Sequence, residues 1–184
     1  MRVIAGSARR VLLAAPAGDG TRPTADRAKE ALFSILSPYL AGARFLDLFC
    51  GSGAVGIEAL SRGAAQAVFV DTSKAALAAL KQNLAATRLG ERAAILAMPA
   101  HEAVEWLHGQ DPANYFDIVF LDPPYHGADG VGVFLNMYMH CPVVKDGGHI
   151  IYETDAKAMP DLPDWLVPDS QRDYGRTRFL FYKG

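Results

Sequence analysis

An apolar run that carries one acid and empties into a glycine turn constrains this chain more than any other stretch. Phe45 to Phe49 is apolar except for Asp47; Gly51, Gly53 and Gly56 follow at once, and an apolar-patterned segment from Ala54 to Arg62 stops at Gly63. That order predicts a strand, a tight turn and a helix start, the first unit of a parallel α/β sheet. Glycines let a ligand lie against the backbone, and the amides of a helix start favour a negative group. An acid inside an apolar strand needs a partner, and a ligand cation is one candidate. One site would then hold an anion and a cation together, as an amino acid zwitterion demands.

The spacing Gly51-x-Gly53-x-x-Gly56, with Asp71 at the end of a second predicted strand, also matches the dinucleotide fingerprint. Two ligand classes therefore stay open at this stretch: a nicotinamide or flavin, and S-adenosylmethionine (SAM). A turn kept for packing alone is the third reading. Asp47 favours SAM, whose methionine end carries an ammonium and a carboxylate.

At 184 residues the chain fits one domain with a proper core, and 51% apolar with 21% charged residues is ordinary for a folded protein. The net charge of −2 gives no global nucleic-acid signature, but its distribution is uneven. Residues 1–30 hold six basic and three acidic groups, and the remainder twelve and seventeen. A basic N-terminal segment on an acidic body suggests a localised polyanion contact; a solvated basic end is the plainer alternative. Cys50 and Cys141 are too few and too isolated for a disulfide framework or a zinc site, and the five histidines show no metal-ligand spacing, so no metal is expected. No run reaches membrane-span length. Arg9-Arg10 followed by Val11 to Pro16 is too short and broken for a signal peptide, so the expected location is the cytoplasm.

Residues 2–15 predict two short strands around Gly6-Ser7, a hairpin bearing Arg2, Arg9 and Arg10. Thr24 is the expected N-cap of a helix whose apolar stripe is Ala28, Ala31, Leu32, Ile35 and Leu36, ended by Pro38 and Gly42. Arg22, Arg27 and Lys29 lie off that stripe, as solvent-facing residues or as a rim for phosphate. Strands are expected at 67–71, 93–97, 116–121 and 148–153, with helices at 73–87, 100–108 and 130–140. Two closing strands follow the proline-rich stretch, turning at Gly175 and forming an antiparallel edge. Residues 1–40 are read as an N-terminal hairpin and helix of the same domain, and residues 41–184 as its core.

The run Phe116 to Leu121 reads as a central buried strand that delivers Asp122-Pro123-Pro124-Tyr125 at its C-terminal end. In an open α/β sheet, ligands bind beyond the carboxyl ends of the strands, so one cleft can contain Asp47, Asp71 and Asp122. The prolines bias Asp122 and Pro123 to extended backbone. The Asp122 carboxylate and the Pro123 carbonyl can then act as acceptors beside the Tyr125 ring, a set suited to a planar ring bearing an exocyclic amine. A rigid strand-exit turn with an incidental aromatic is the bland alternative. Asp-Pro-Pro-Tyr has no role in hydride transfer, which disfavours the nicotinamide reading.

These two motifs resemble those of class I SAM-dependent methyltransferases that act on exocyclic amines. Arg22-Pro23-Thr24-Ala25-Asp26-Arg27, Leu46 to Gly53, Glu58-Ala59-Leu60-Ser61-Arg62-Gly63-Ala64 and Asp122 to Tyr125 resemble a narrower group, the bacterial 16S ribosomal RNA guanine-N2 methyltransferases of the RsmD type. The likeness runs from Arg2 to Tyr174-Gly175-Arg176-Thr177. It implies a single Rossmann-like domain with a seven-stranded, mostly parallel sheet of order 3-2-1-4-5-7-6. It implies SAM as cofactor and, as partner, 16S ribosomal RNA in the small subunit or its assembly intermediate. Carried over by position, Asp47, Phe49, Gly51, Ser52, Gly53, Asp71 and Thr72 line the cofactor site, with Asp71 on the ribose hydroxyls. Asp122, Pro123, Pro124 and Tyr125 hold the target base, and Arg9, Arg10, Arg22 and Arg27 meet RNA. Where related enzymes place Asp or Asn near the adenine, this chain has Met98-Pro99-Ala100, with His101 and Glu102 as possible substitutes. A monomer without membrane contact is expected. The competing readings are a DNA adenine-N6 methyltransferase and an RNA-binding assembly factor with a vestigial SAM site.

Overall fold

The computed structural model describes residues 1–15, 23–123, 129–157 and 160–184. Helix α1 (Pro23–Leu40) precedes strand β1 (Arg44–Leu48), and α2 (Ala54–Ser61), β2 (Gln66–Val70), α3 (Lys74–Thr87) and β3 (Ala93–Leu96) continue the alternation. Then come α4 (Ala100–His108), β4 (Phe116–Leu121), α5 (Asp129–Met139), β5 (Val144–Asp155), β6 (Ser170–Tyr174) and β7 (Thr177–Lys183). The seven strands form one sheet of order β3-β2-β1-β4-β5-β7-β6, parallel from β3 to β5 and antiparallel where β7 joins β5 and β6.

Strand periodicity sorts the side chains into two layers. Phe45, Phe69, Phe120, Ile151 and Phe179 face the side covered by α1, α2 and α3, whose Leu32, Leu36, Ile57, Leu60, Leu80 and Leu84 complete that core. Leu46, Val68, Val119, Leu121, Tyr152 and Leu180 face α4 and α5, against Val104, Phe134 and Met137. Because β1, β2 and β4 are covered on both faces, they read as continuous apolar runs.

The N-terminal hairpin departs from its expected form. Val3 N–H donates to the Val11 carbonyl at 3.0 Å, Arg10 N–H donates to the Val3 carbonyl at 2.8 Å and Arg2 pairs with Leu12, but that bridge is isolated and no two-stranded ladder forms. The amides that would extend pairing are engaged by α2 instead. Ile4 and Ala5 N–H donate to the buried Glu58 carboxylate at 2.8 and 3.0 Å, Ala8 N–H donates to Ser61 Oγ, and Ser61 Oγ donates to the Ala5 carbonyl. Lys29, expected on the surface, is buried: its Nζ donates to the Arg2 carbonyl at 2.8 Å and lies 3.5 Å from Glu58. Burial lowers its pKa, and Glu58 opposes that shift.

Three other boundaries moved. α1 begins at Pro23, so Thr24 lies inside the first turn and is not the cap; proline suits a first helical position because its missing N–H has no partner there anyway. The helix also runs through Pro38 to the buried Leu40, since a proline this close to the end removes only one helical bond. β5 starts at Val144, not Gly148, because a register shift opposite Phe116/Ile118 lets Val144 pair before the strand resumes at His149.

Candidate active site

Three strand ends build the site. β1 ends at Leu48, Phe49 takes φ 63, and Gly51 and Gly53 follow at φ 54 and 78, so the chain reverses through left-handed backbone into α2. A side chain at Gly53 would strike Leu80, and one at Gly56 would strike the Phe69 ring. The turn is closed by Gly53 N–H donating to the Cys50 carbonyl at 2.8 Å. It is tied to β2 by Gly51 N–H donating to Asp71 Oδ2, also at 2.8 Å. Asp71 Oδ1 accepts from Ser73 N–H, ahead of the α3 cap formed by Ser73. Thr72 beside it is exposed, as are Arg9, Arg10 and Arg27, while Phe49 and Ser52 are half-buried.

Asp47 is buried, and its Oδ2 accepts one bond, from Gly56 N–H at 2.8 Å. Desolvation pushes its pKa up to about 8; the Gly56 bond opposes this, and the charges of Asp122 and Asp71 add to it. Asp122 lies one residue past β4, solvent-exposed as a residue, with its N–H donating to the Leu48 carbonyl at 3.4 Å. Desolvation raises its carboxyl to about 7. Tyr152, buried on β5, feels the Asp122 charge as well, and its hydroxyl is raised to about 12, mainly by burial. Pro123 is buried, and a side chain on Gly130 would collide with it, so the start of α5 is fitted against the strand exit. Arg22, Pro124 and Tyr125 lie outside the described residues.

Register brings these groups to one face. Asp47 pairs with Phe69 on β2 and Phe120 on β4, so Asp71 and Asp122 stand two residues further toward the carboxyl ends, on the same side of the sheet. Phe120 in turn pairs with Ile151, which puts Glu153 of β5 level with Asp122 and on that same side. Glu153 was not singled out by the sequence. Its pKa is raised by burial first, then by Asp122. Among the described residues no cationic side chain contributes to the shifts of Asp47, Asp122 or Glu153. Among the described residues the arrangement is a cleft of carboxyls without a counter-charge, which stabilises a bound cation and penalises an anion.

Sequence reasoning also missed Asn83. Its Oδ1 accepts from Ala14 N–H at 2.7 Å, and its Nδ2 donates to the Ala14 and Ser52 carbonyls, both at 2.9 Å, so it ties the hairpin exit to the glycine turn. The available signal was a polar residue between the inward Leu80 and Leu84. The remaining expected groups carry less. Cys50 is buried with its thiol pKa raised by desolvation, which leaves it inert as a nucleophile. His101 and Glu102 are exposed and 3.9 Å apart, and Met98 packs against the α4/α5 core. Among the described residues no His/Cys/Asp/Glu group is arranged to hold a metal ion.

A sheet of this order with an antiparallel seventh strand, and an acidic cleft over the ends of β1, β2 and β4, define the fold class of the Rossmann-like SAM-dependent methyltransferases. Comparison with known proteins narrows this. The chain belongs to the family described as Conserved hypothetical protein 95, whose model matches residues 1–183. It is 37% identical over 184 residues to the Bacillus subtilis protein named "Putative rRNA methyltransferase YlbH", covering 100% of this chain and 98% of that one. It is 39% identical over 127 residues to Ribosomal RNA small subunit methyltransferase D of Haemophilus influenzae, covering 68% of this chain and 64% of that one. Among solved structures, "Putative methyltransferase yhhF" from Escherichia coli superposes with a TM-score of 0.79 at 32% identity, covering 100% of this chain and 97% of the other.

Proposed function

We propose that the chain transfers a methyl group from SAM to the exocyclic N2 amine of a guanine in 16S ribosomal RNA, in the small subunit or its assembly intermediate. The observation that carries this reading is the cleft itself, where Asp47 and Asp122 stand at adjoining strand ends with no cationic side chain among the described residues to offset them. Two neighbours named as ribosomal RNA methyltransferases support RNA as the substrate class.

The residues present fit SAM. A buried carboxyl held protonated at Asp47 ionises once a cation lies against it, so its desolvation cost is offset when an ammonium or sulfonium arrives. Asp71, already oriented by two backbone amides, keeps its outer lone pairs for ribose hydroxyls. The Gly51-Ser52-Gly53 turn brings backbone close to the methionine end. Phe49 and Thr72 border the same turn and strand end. When bound, SAM supplies the electrophilic sulfonium methyl.

The protein's part is positioning and charge. Asp122 Oδ and the Pro123 carbonyl accept the two N2–H groups of guanine, which favours a pyramidal nitrogen with its lone pair directed away from them. A carboxyl that burial raises to about 7 is matched to take the proton N2 sheds. Tyr125 and Pro124, next along the chain, supply the stacking wall. A base paired inside a helix cannot enter such a cleft, so the target is unpaired or flipped. Arg9, Arg10 and Arg27, exposed on the N-terminal segment, and Arg22 contact phosphate.

The test offers radiolabelled SAM together with small subunits from a strain lacking the methylation, naked 16S RNA, and DNA. The expected product is N2-methylguanosine in 16S RNA. N6-methyladenine in DNA, or labelling of no nucleic acid, overturns the reading.

A further inference from the structure

We infer that Glu153 is the residue by which the cleft distinguishes guanine from adenine, its carboxylate accepting the N1–H of the target base. This rests on the methyl-transfer reading above and deepens it.

Three observations place Glu153 at the base and not in the scaffold. The first is register: the β4–β5 pairing ends at Leu121↔Tyr152, so Asp122 and Glu153 are the next residues on adjacent parallel strands, about 4.8 Å apart in backbone and on one face. The second is partnership. Among the described residues Glu153 accepts a single hydrogen bond, from Thr177 Oγ1 at a long 3.4 Å, which leaves Oε2 without a donor. The third is the want of a structural reason for a carboxyl there. Its strand neighbours Ile151 and Tyr152 are buried, its cross-strand partner Phe179 is buried, and among the described residues no lysine or arginine contributes to the shift of its carboxyl. A carboxyl half-buried without an ion pair weakens the fold, so its use is found in a ligand.

The chemistry of the bases supplies that ligand. Guanine presents N2–H₂ and N1–H as contiguous donors on its Watson–Crick edge. With Asp122 and Pro123 on the amine, the Glu153 carboxyl one strand over meets N1–H, a donor that, with the cation of bound SAM in the same cleft, favours the ionised form against the rise that burial imposes. Adenine offers a bare N1 lone pair at the equivalent place, which faces the carboxylate unfavourably. Sites built to bond a particular N–H reject analogues lacking it because a buried acceptor is left unpaired. Asp122 therefore handles the reacting amine, and Glu153 handles base identity.

The test is a cycle between residue and base atom. Small subunits are assembled on 16S RNA carrying, at the methylated position, either guanine or 2-aminopurine, which keeps the 2-amino group but has no N1–H. Wild type, Glu153→Gln and Glu153→Ala are assayed on both, with SAM affinity measured by calorimetry. Glu153→Ala is expected to lower kcat/KM on guanine by roughly 10- to 100-fold, the worth of one hydrogen bond to a charged group. On 2-aminopurine it should differ from wild type by less than about twofold, and Glu153→Gln, which keeps an acceptor oxygen, should fall between. SAM affinity should be unchanged in both variants. An equal loss on both bases, or a tenfold loss of SAM affinity, assigns Glu153 to scaffold or cofactor and overturns the inference. So does full activity of Glu153→Ala on guanine. Wild type that labels no guanine N2 overturns the underlying reading instead, and this one with it.

Discussion

Replacing Asp47 by asparagine should stabilise the unliganded protein while weakening its hold on SAM, and the size of the first effect should depend on pH. The two side chains have the same shape, and asparagine keeps an oxygen for Gly56 N–H, which now donates to Asp47 Oδ2 at 2.8 Å. Only the proton differs. Burial raises the Asp47 carboxyl from 3.8 to about 8, so the native state holds a proton that the unfolded chain releases. Stability contributed by this group is full below the unfolded value and falls as pH rises toward the folded one, at about 1.4 kcal/mol per pH unit. Asparagine carries no such dependence. The variant should therefore exceed wild type by about 1.5 kcal/mol at pH 5 and about 4 kcal/mol at pH 7, levelling off above pH 8. With a urea slope near 2 kcal/mol/M, the gap at pH 7 is a midpoint shift of about 2 M. Titrating groups that do not feel Asp47, such as Asp117 with its lowered pKa and His149 with its lowered pKa, are common to both proteins and cancel in the difference. Paired urea titrations at pH 5, 6, 7 and 8 measure it, and calorimetry in buffers of different ionisation enthalpy should show wild type releasing protons on binding SAM. A gap of the same size at pH 5 and pH 8 would refute the desolvation argument.

Asp122→Ala should fold, bind SAM within a few fold of wild type, and lose methyl transfer by about 10²–10³-fold, the scale of one preorganised polar group at a reacting centre; full activity on subunits would exclude it from the site. Glu58→Ala leaves Lys29, Arg62 and the Ile4 and Ala5 amides without their common acceptor and should cost about 3 kcal/mol in urea titration. Limited proteolysis should then cut the first fifteen residues more readily, while a mere surface pair would leave both measurements unmoved. Neutralising Arg9, Arg10 and Arg27 together should weaken RNA binding and reduce the slope of log K against log salt by about 2, with SAM affinity unchanged; an unaltered slope returns them to solvated surface.

Much of this molecule was legible along the chain because its signals are local. The apolar period and the glycines and prolines that interrupt it place strands and helices within a few residues. The same period carries Asp47 into an apolar strand and Asp122 to the exit of another, and the stereochemistry of the Gly51-Ser52-Gly53 turn is a property of those residues alone. Only the tertiary structure decided who stands beside whom. Asn83 meets Ala14 across 69 residues, and Glu58 meets Ile4 across 54, because the hairpin folds back onto α2 and α3; that docking, not solvent, determines why Lys29 is buried and why the hairpin pairs at a single bridge. Glu153 sits in an ordinary-looking apolar strand until β5 takes its place next to β4. Period along a strand fixes which face a side chain takes, but the neighbour across the sheet follows from strand order and register, which arise from packing between distant segments.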